Sequence, residues 1–122
     1  MIKAFVAGTI RDYIPESERT LDVGEPKTIF KLRTLTAREA AEIDDSVSAF
    51  QREGMVYRKG SRQFLALKIG VAGVENFEKP YEKSESGRAT DAFIDSIPPD
   101  IRTELATEIL GYNGLTPEQE KN

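Results

Sequence analysis

Thr28-Ile29-Phe30-Lys31-Leu32-Arg33-Thr34-Leu35-Thr36-Ala37-Arg38-Glu39 changes its period halfway along. Thr28 to Arg33 is rich in β-branched and aromatic residues, with Phe30 and Leu32 on one face and Lys31 and Arg33 on the other. That alternation predicts a strand. Thr36 and Glu39 then stand in the spacing of a capping box, in which the threonine hydroxyl and the glutamate carboxylate satisfy each other's backbone amides at a helix start. The stretch therefore reads as a strand delivered almost directly into a helix.

Working forward, Ala40, Ile43, Val47 and Phe50 continue one apolar helical stripe to about Arg52, and Gly54 is a reasonable stop. Glu39, Glu42, Asp44 and Asp45 crowd its N-terminal half, where the helix dipole favours negative charge. Ser61 can cap a second helix, Arg62 to about Ala72. Its apolar residues Phe64, Leu65, Leu67, Ile69 and Val71 spread around more than one face. Such a helix lies centrally in a core or is partly covered by another subunit. Glu78 to Gly87 is polar, holds Pro80, lacks periodicity and reads as a loop. A third helix is expected from Arg88 to Ser96. A fourth runs from Pro99 to about Tyr112, with Ile101, Leu105 and Ile109 repeating every four residues. These last two read as an αα-hairpin-like pair.

Working backward, Val23-Gly24-Glu25-Pro26 is a break and Pro15-Glu16-Ser17-Glu18-Arg19 a polar turn or loop. Phe5 to Ile10 is the partner strand these patterns suggest. Two strands alone are marginal, so helices must cover one face. The fold class that follows is α+β: a small N-terminal antiparallel β element of two or more strands, then about four helices. The organisation is a single domain over residues 1–122, with a β-rich part at 1–35, a helical part at 36–113 and an exposed tail at 114–122.

Composition narrows the chemistry. The 122 residues include no cysteine and no histidine. Disulfides, thiol chemistry, Cys/His zinc sites and histidine-based triads are thereby excluded. No metal or cofactor is expected. No serine or threonine has a base beside it in sequence, and Lys3, Lys27, Lys31 and Lys68 read as ordinary surface or strand lysines. The glycines of Gly70-Val71-Ala72-Gly73 follow a helix rather than a strand, so they do not make a phosphate-binding loop. The Glu39, Glu42, Asp44, Asp45 group reads as a solvated helix face or, less simply, as carboxylates for a divalent metal. No stretch is long and apolar enough for a membrane span, nor does Met1 to Tyr13 resemble a signal peptide. The chain reads as soluble and not exported, and no membrane partner is expected.

Net charge is −4, a poor default for binding nucleic acid. Its distribution is uneven: between Arg52 and Lys68 five basic residues face one acid, Glu53, whereas Glu75 to Asp95 holds six acids and three bases. Arg58, Lys59 and Arg62, near Tyr57 and Phe64, admit three readings: a solvated turn, a docking patch for an acidic protein surface, or a phosphate contact. The apolar faces Phe64–Leu67 and Ile101–Leu105–Ile109 are either core or reversible binding and self-association surface. These eight residues are the candidate protein-binding set.

In order along the chain, four segments resemble the small tail assembly chaperones of long-tailed bacteriophages. Thr28 to Glu39 resembles their T-[VI]-F-x-L-R-x-L-T-x-x-E opening. Lys68 to Phe77 resembles their segment running from lysine through glycine to Glu-Asn-Phe. Ile97 to Ala106 resembles their [LI]-P-P-x-[IVL]-x-x-E-L helix. Leu115 to Asn122 resembles their acidic Glu-Lys-Asn ending. The similarity spans about Lys27 to Asn122. It departs at Ala72, where a larger residue is expected, and at Val74, where many of these proteins carry tryptophan; the first 25 or so residues match none of its patterns.

The resemblance implies a non-enzymatic protein that binds the tape measure protein, keeps it soluble and helps recruit tail tube subunits during tail morphogenesis. It implies action in the host cell cytoplasm and absence from the mature virion. It also implies a minority product extended by a programmed −1 frameshift, through which the tail tube protein is chiefly contacted. Glu120, Lys121 and Asn122 can be encoded as GAA-AAA-AAC, a slippery run. Thr116 and Pro117 open a helix there with only six residues after Thr116, too few for a stable one, and a shifted ribosome would continue it. The alternative is another small phage tail or head–tail joining structural protein.

Overall fold

A computed structural model describes residues 1–52 and 59–114; the side chains of residues 46–52 and 59–61 lie outside that description. Its elements in order are β1 (Ile10–Tyr13), α1 (Glu16–Arg19), β2 (Ile29–Arg33), α2 (Ala37–Arg52), α3 (Lys59–Gly70), β3 (Val71–Glu75), α4 (Asp91–Asp95) and α5 (Pro99–Tyr112). The three strands form an antiparallel sheet in the order β1-β2-β3. The fold is α+β.

The β2–α2 junction forms as its sequence requires. Phe30 and Leu32 are buried while Ile29, Lys31 and Arg33 are half-buried. At the helix start the Thr36 hydroxyl accepts from the Glu39 amide at 3.1 Å, and the Glu39 carboxylate accepts from the Thr36 amide at 2.8 Å. Arg33 grips the same carboxylate with both guanidinium nitrogens, at 3.1 and 2.5 Å. Strand and helix are thus tied through one glutamate. Thr36→Ala should lower stability by about 1 kcal/mol, the usual cost of losing such a cap, read from a chemical denaturation midpoint.

Several boundaries differ from the sequence expectation, among them the start of α3, at Lys59 rather than Arg62. The first strand is Ile10–Tyr13 rather than Phe5–Ile10, because the residues turned toward the helices are Arg11 and Tyr13 while Ile10 stays exposed. The inward positions are polar, and an alternation search for apolar residues misses them. Within Pro15–Arg19, expected to be a polar turn or loop, Glu16–Arg19 forms a single helical turn. Val71 and Ala72 belong to β3, so the second helix stops at Gly70. β3 supplies the partner for the second edge of β2, and a strand of the helical part thereby completes the sheet.

The open face of the sheet carries charge. The Lys31 ammonium sits 2.6 Å from Asp12 on β1 and 2.9 Å from Glu75 on β3. Gly73 lies opposite Lys31 in the register, and a Cβ there would stand 3.3 Å from the lysine Cγ.

The other face buries one core cluster. Its members include Phe30 and Leu32 from the sheet, Ile43 from α2, Ala66, Leu67 and Ile69 from α3, Phe93 and Ile94 from α4, and Leu105, Ala106, Ile109 and Leu110 from α5. The multi-sided helix is central: α2, α4 and α5 all pack against α3. The two helices of the expected hairpin, α4 and α5, each pack on α3. α4 is shorter than its Arg88–Ser96 expectation, because Thr90 caps it by accepting from the Phe93 amide at 3.2 Å. Within Glu78–Gly87, Tyr81 anchors the loop by donating to the Val71 carbonyl at 3.0 Å. The loop then closes in a turn in which the Ser84 amide donates to the Arg88 carbonyl at 2.7 Å.

Arg88 returns to α2 and pairs bidentately with Glu42, at 2.9 and 2.7 Å. That bond is the leading reason the Glu42 carboxyl titrates below its ordinary 4.5. For Glu39 burial pulls upward, and the bonds from Arg33 and the Thr36 amide outweigh it to leave a lowered value. Both carboxyls release protons more readily folded than unfolded. Their contribution is complete above the ordinary glutamate range and is lost as pH falls through the folded values. Glu42→Gln should flatten the drop in urea midpoint between about pH 6 and about pH 3; an unchanged slope would show the pair has no part in it.

Candidate protein-binding surface

The eight candidate residues separate into distinct environments. Leu67, Leu105 and Ile109 are at most 1% exposed and belong to the core. Arg62 is 4% exposed, with a guanidinium nitrogen 3.5 Å from Asp44. Arg58 lies outside the described residues, as does the side chain of Lys59 at the head of α3. Among the described side chains of the set, Phe64 and Ile101 are half-buried at the surface.

These two line different concavities. Phe64 joins Gln63, Leu67, Pro99, Arg102 and Thr103 in a groove of about 260 Å³ between α3 and α5. Beside it the Lys68 ammonium lies 5.7 Å above the Phe64 ring and 2.7 Å from Asp91. Ile101 lines a cleft of about 320 Å³. One wall of that cleft is Pro15, Ser17 and Glu18 of the α1 segment. The opposite side is Thr28, Phe30 and Phe77, closed by Pro98, Asp100 and Ile101 at the entrance to α5.

Local chemistry explains how the cleft is built. Asn76 takes a left-handed backbone, φ 56°, a conformation asparagine tolerates better than most residues. Its amide group donates to the Lys27 carbonyl at 3.0 Å, and its own carbonyl accepts from the Thr28 hydroxyl at 2.7 Å. This turn swings Phe77 over the sheet, with its ring centroid 5.8 Å from Phe30 and 6.1 Å from Phe93. Pro99 at the first position of α5 fixes the chain direction into that helix.

The α1 wall is held by α5. Glu104 accepts from the Tyr13 hydroxyl at 2.5 Å and from the Glu16 amide at 2.9 Å. One turn on, Glu108 lies 3.4 Å from Arg11. A further turn on, the Tyr112 ring lies 4.2 Å beneath the same guanidinium. Burial, followed by the Glu104 carboxylate, pushes the Tyr13 phenol up to about 12, so at neutral pH it is a protonated donor in this clasp. Glu104, Glu108 and Tyr112 escaped the sequence reading because it sought apolar stripes; their i, i+4, i+8 spacing is the signal that marks a polar one. Glutamates leading the Glu16–Arg19 turn and an arginine ending it were likewise a legible helix signal.

The acidic group on α2 is distributed among separate partners: Glu39 to Arg33, Glu42 to Arg88 and Asp44 to Arg62. Among the described residues, no three His, Cys, Asp or Glu side chains are placed to share a metal ion. No helix of the described residues is long and apolar enough to cross a membrane. Compared with protein-family models, curated proteins and solved structures, the chain matches none.

Proposed function

We propose that this chain is a non-enzymatic tail assembly chaperone of a long-tailed bacteriophage. It binds the tape measure protein and helps recruit tail tube subunits in the host cytoplasm, and it is left out of the finished virion. Contact with the tail tube protein belongs mainly to a frameshifted, extended product; Glu120, Lys121 and Asn122, the codons for the shift, lie outside the described residues.

One observation carries the reading. Three of the segments that resemble this family are far apart in sequence and meet at one place. Thr28 and Phe30 come from the first, Phe77 from the second, and Pro98, Asp100 and Ile101 from the third; all six line the same cleft. Chance matches scattered over unrelated surface have no reason to converge in this way.

Co-expression with a coiled-coil-rich fragment of the tape measure protein tests the proposal. The fragment should move from the pellet to the soluble fraction and co-elute with the chain. A fragment that stays insoluble removes the chaperone reading, and finding the chain stoichiometrically in purified virions would favour a structural tail or head–tail joining subunit instead.

A further inference from the structure

The cleft between α1 and the entrance to α5 combines three properties. Its floor is apolar, made by Phe77 and Ile101 over the buried Phe30. Its two charged lining residues, Glu18 and Asp100, are both carboxylates. Its α1 wall buries Pro15, while the Glu16–Arg19 turn itself has no buried residue; hydrogen bonds hold that turn, from the Glu16 amide to Glu104 at 2.9 Å and from the Thr28 amide to Glu18 at 3.0 Å.

An apolar side chain seated on that floor displaces water from it. Displacing water also lowers the local dielectric around the two carboxylates, which strengthens their attraction for a cation. The stem of a lysine or arginine covers apolar rim while its head reaches the carboxylates. The volume, about 320 Å³, is at the small end of binding pockets, roughly 300–1,000 Å³. It fits anchor side chains of a segment lying across the surface rather than the segment itself.

We infer that this cleft seats an aliphatic side chain of the tape measure protein flanked by lysine or arginine, with Glu18 and Asp100 pairing with the cation; the inference rests on the chaperone reading above. The occupant follows from charge complementarity: an aliphatic residue beside an acid would meet two carboxylates of its own sign.

The test is titration of the full chain with the coiled-coil-rich tape measure fragment at about 0.1 M salt, where surface charge is only partly screened. Glu18→Gln with Asp100→Asn removes both charges and keeps an oxygen to accept from the Thr28 amide. This double variant should weaken binding about three- to tenfold and reduce its salt sensitivity. Ile101→Ala should weaken it independently of salt, whereas Asp45→Asn and Glu85→Gln, exposed elsewhere, should leave it unchanged. Asp100 is exposed, so Asp100→Asn alone reports on binding even if a companion change disturbs folding. If the unmodified chain binds and the cleft variants bind equally well, the cleft is not the seat, and the chaperone reading stands. If the unmodified chain does not bind the fragment at all, both fall.

Discussion

Phe93→Ala is expected to lower unfolding free energy by about 3–5 kcal/mol, the range for truncating a buried aromatic to alanine. Phe93 is 1% exposed and meets two rings edge-on, Phe77 at 6.1 Å and Tyr81 at 5.1 Å. Phe77 in turn leans on Phe30 of the central strand. One side chain therefore joins the sheet, the turn after β3, the 78–87 loop and α4. Edge-to-face pairs add about 0.5–1.5 kcal/mol beyond the area they bury, so the high end of the range is expected here. Against a total stability of about 5–15 kcal/mol, the variant retains little margin. The denaturation midpoint should fall with an unchanged denaturant slope. Phe93→Leu, which keeps most of the volume, should cost less than about 2 kcal/mol. Equal losses for the two would mean that ring contacts contribute nothing.

Gly70→Ala should also destabilise, by about 1–3 kcal/mol, the cost of overpacking a filled core. The sign is informative, because alanine ordinarily stabilises a helix relative to glycine by roughly 0.5–1 kcal/mol. Here the added Cβ would lie 2.7 Å from Ile109 Cγ2 and 2.8 Å from its Cδ1. Ile109 is itself 1% exposed and β-branched, so its χ1 is stiff and it yields poorly to the added methyl. α3 and α5 approach one another at this point through a missing side chain. Combining Gly70→Ala with Ile109→Ala should therefore be less damaging than the sum of the two, by about 0.5–3 kcal/mol. Strict additivity in thermal or chemical melts would place the strain elsewhere.

These two positions also illustrate what the sequence disclosed. Local signals were legible. The Thr36–Glu39 cap, the alternation of Phe30 and Leu32, and Pro99 with the Ile101–Leu105–Ile109 repeat all placed their elements closely, because each depends on residues within a few positions. β3 was not legible, since Val71–Glu75 becomes a strand by pairing with Ile29–Leu32 some forty residues earlier. β1 was misplaced because its inward residues, Arg11 and Tyr13, answer to Glu108 and Glu104 on α5 rather than to a hydrophobic rule.

The candidate surface was legible only in part. Periodicity shows that Leu67 and Ile109 are apolar on a helix face, but it cannot say whether this chain or another covers them. In the fold, α3 and α5 cover each other. Ile101 stays half-buried because it lies on the side of the first turn of α5 that lines the α1 cleft, away from the groove shared with α3. Glu18 and Phe77 emerged only from the turns that fold them toward it.

The clasp on α1 has a consequence for the order in which the molecule is completed during synthesis. Tyr13 is bonded to Glu104 across 91 positions of chain. A ribosome adding about 5–20 residues per second makes the acceptor roughly 5–18 s after the donor. Through that interval the N-terminal strand can meet β2, but its outer fastening does not yet exist. The first strand made is thus among the last elements secured, and the cleft gains its α1 wall only when α5 has been made.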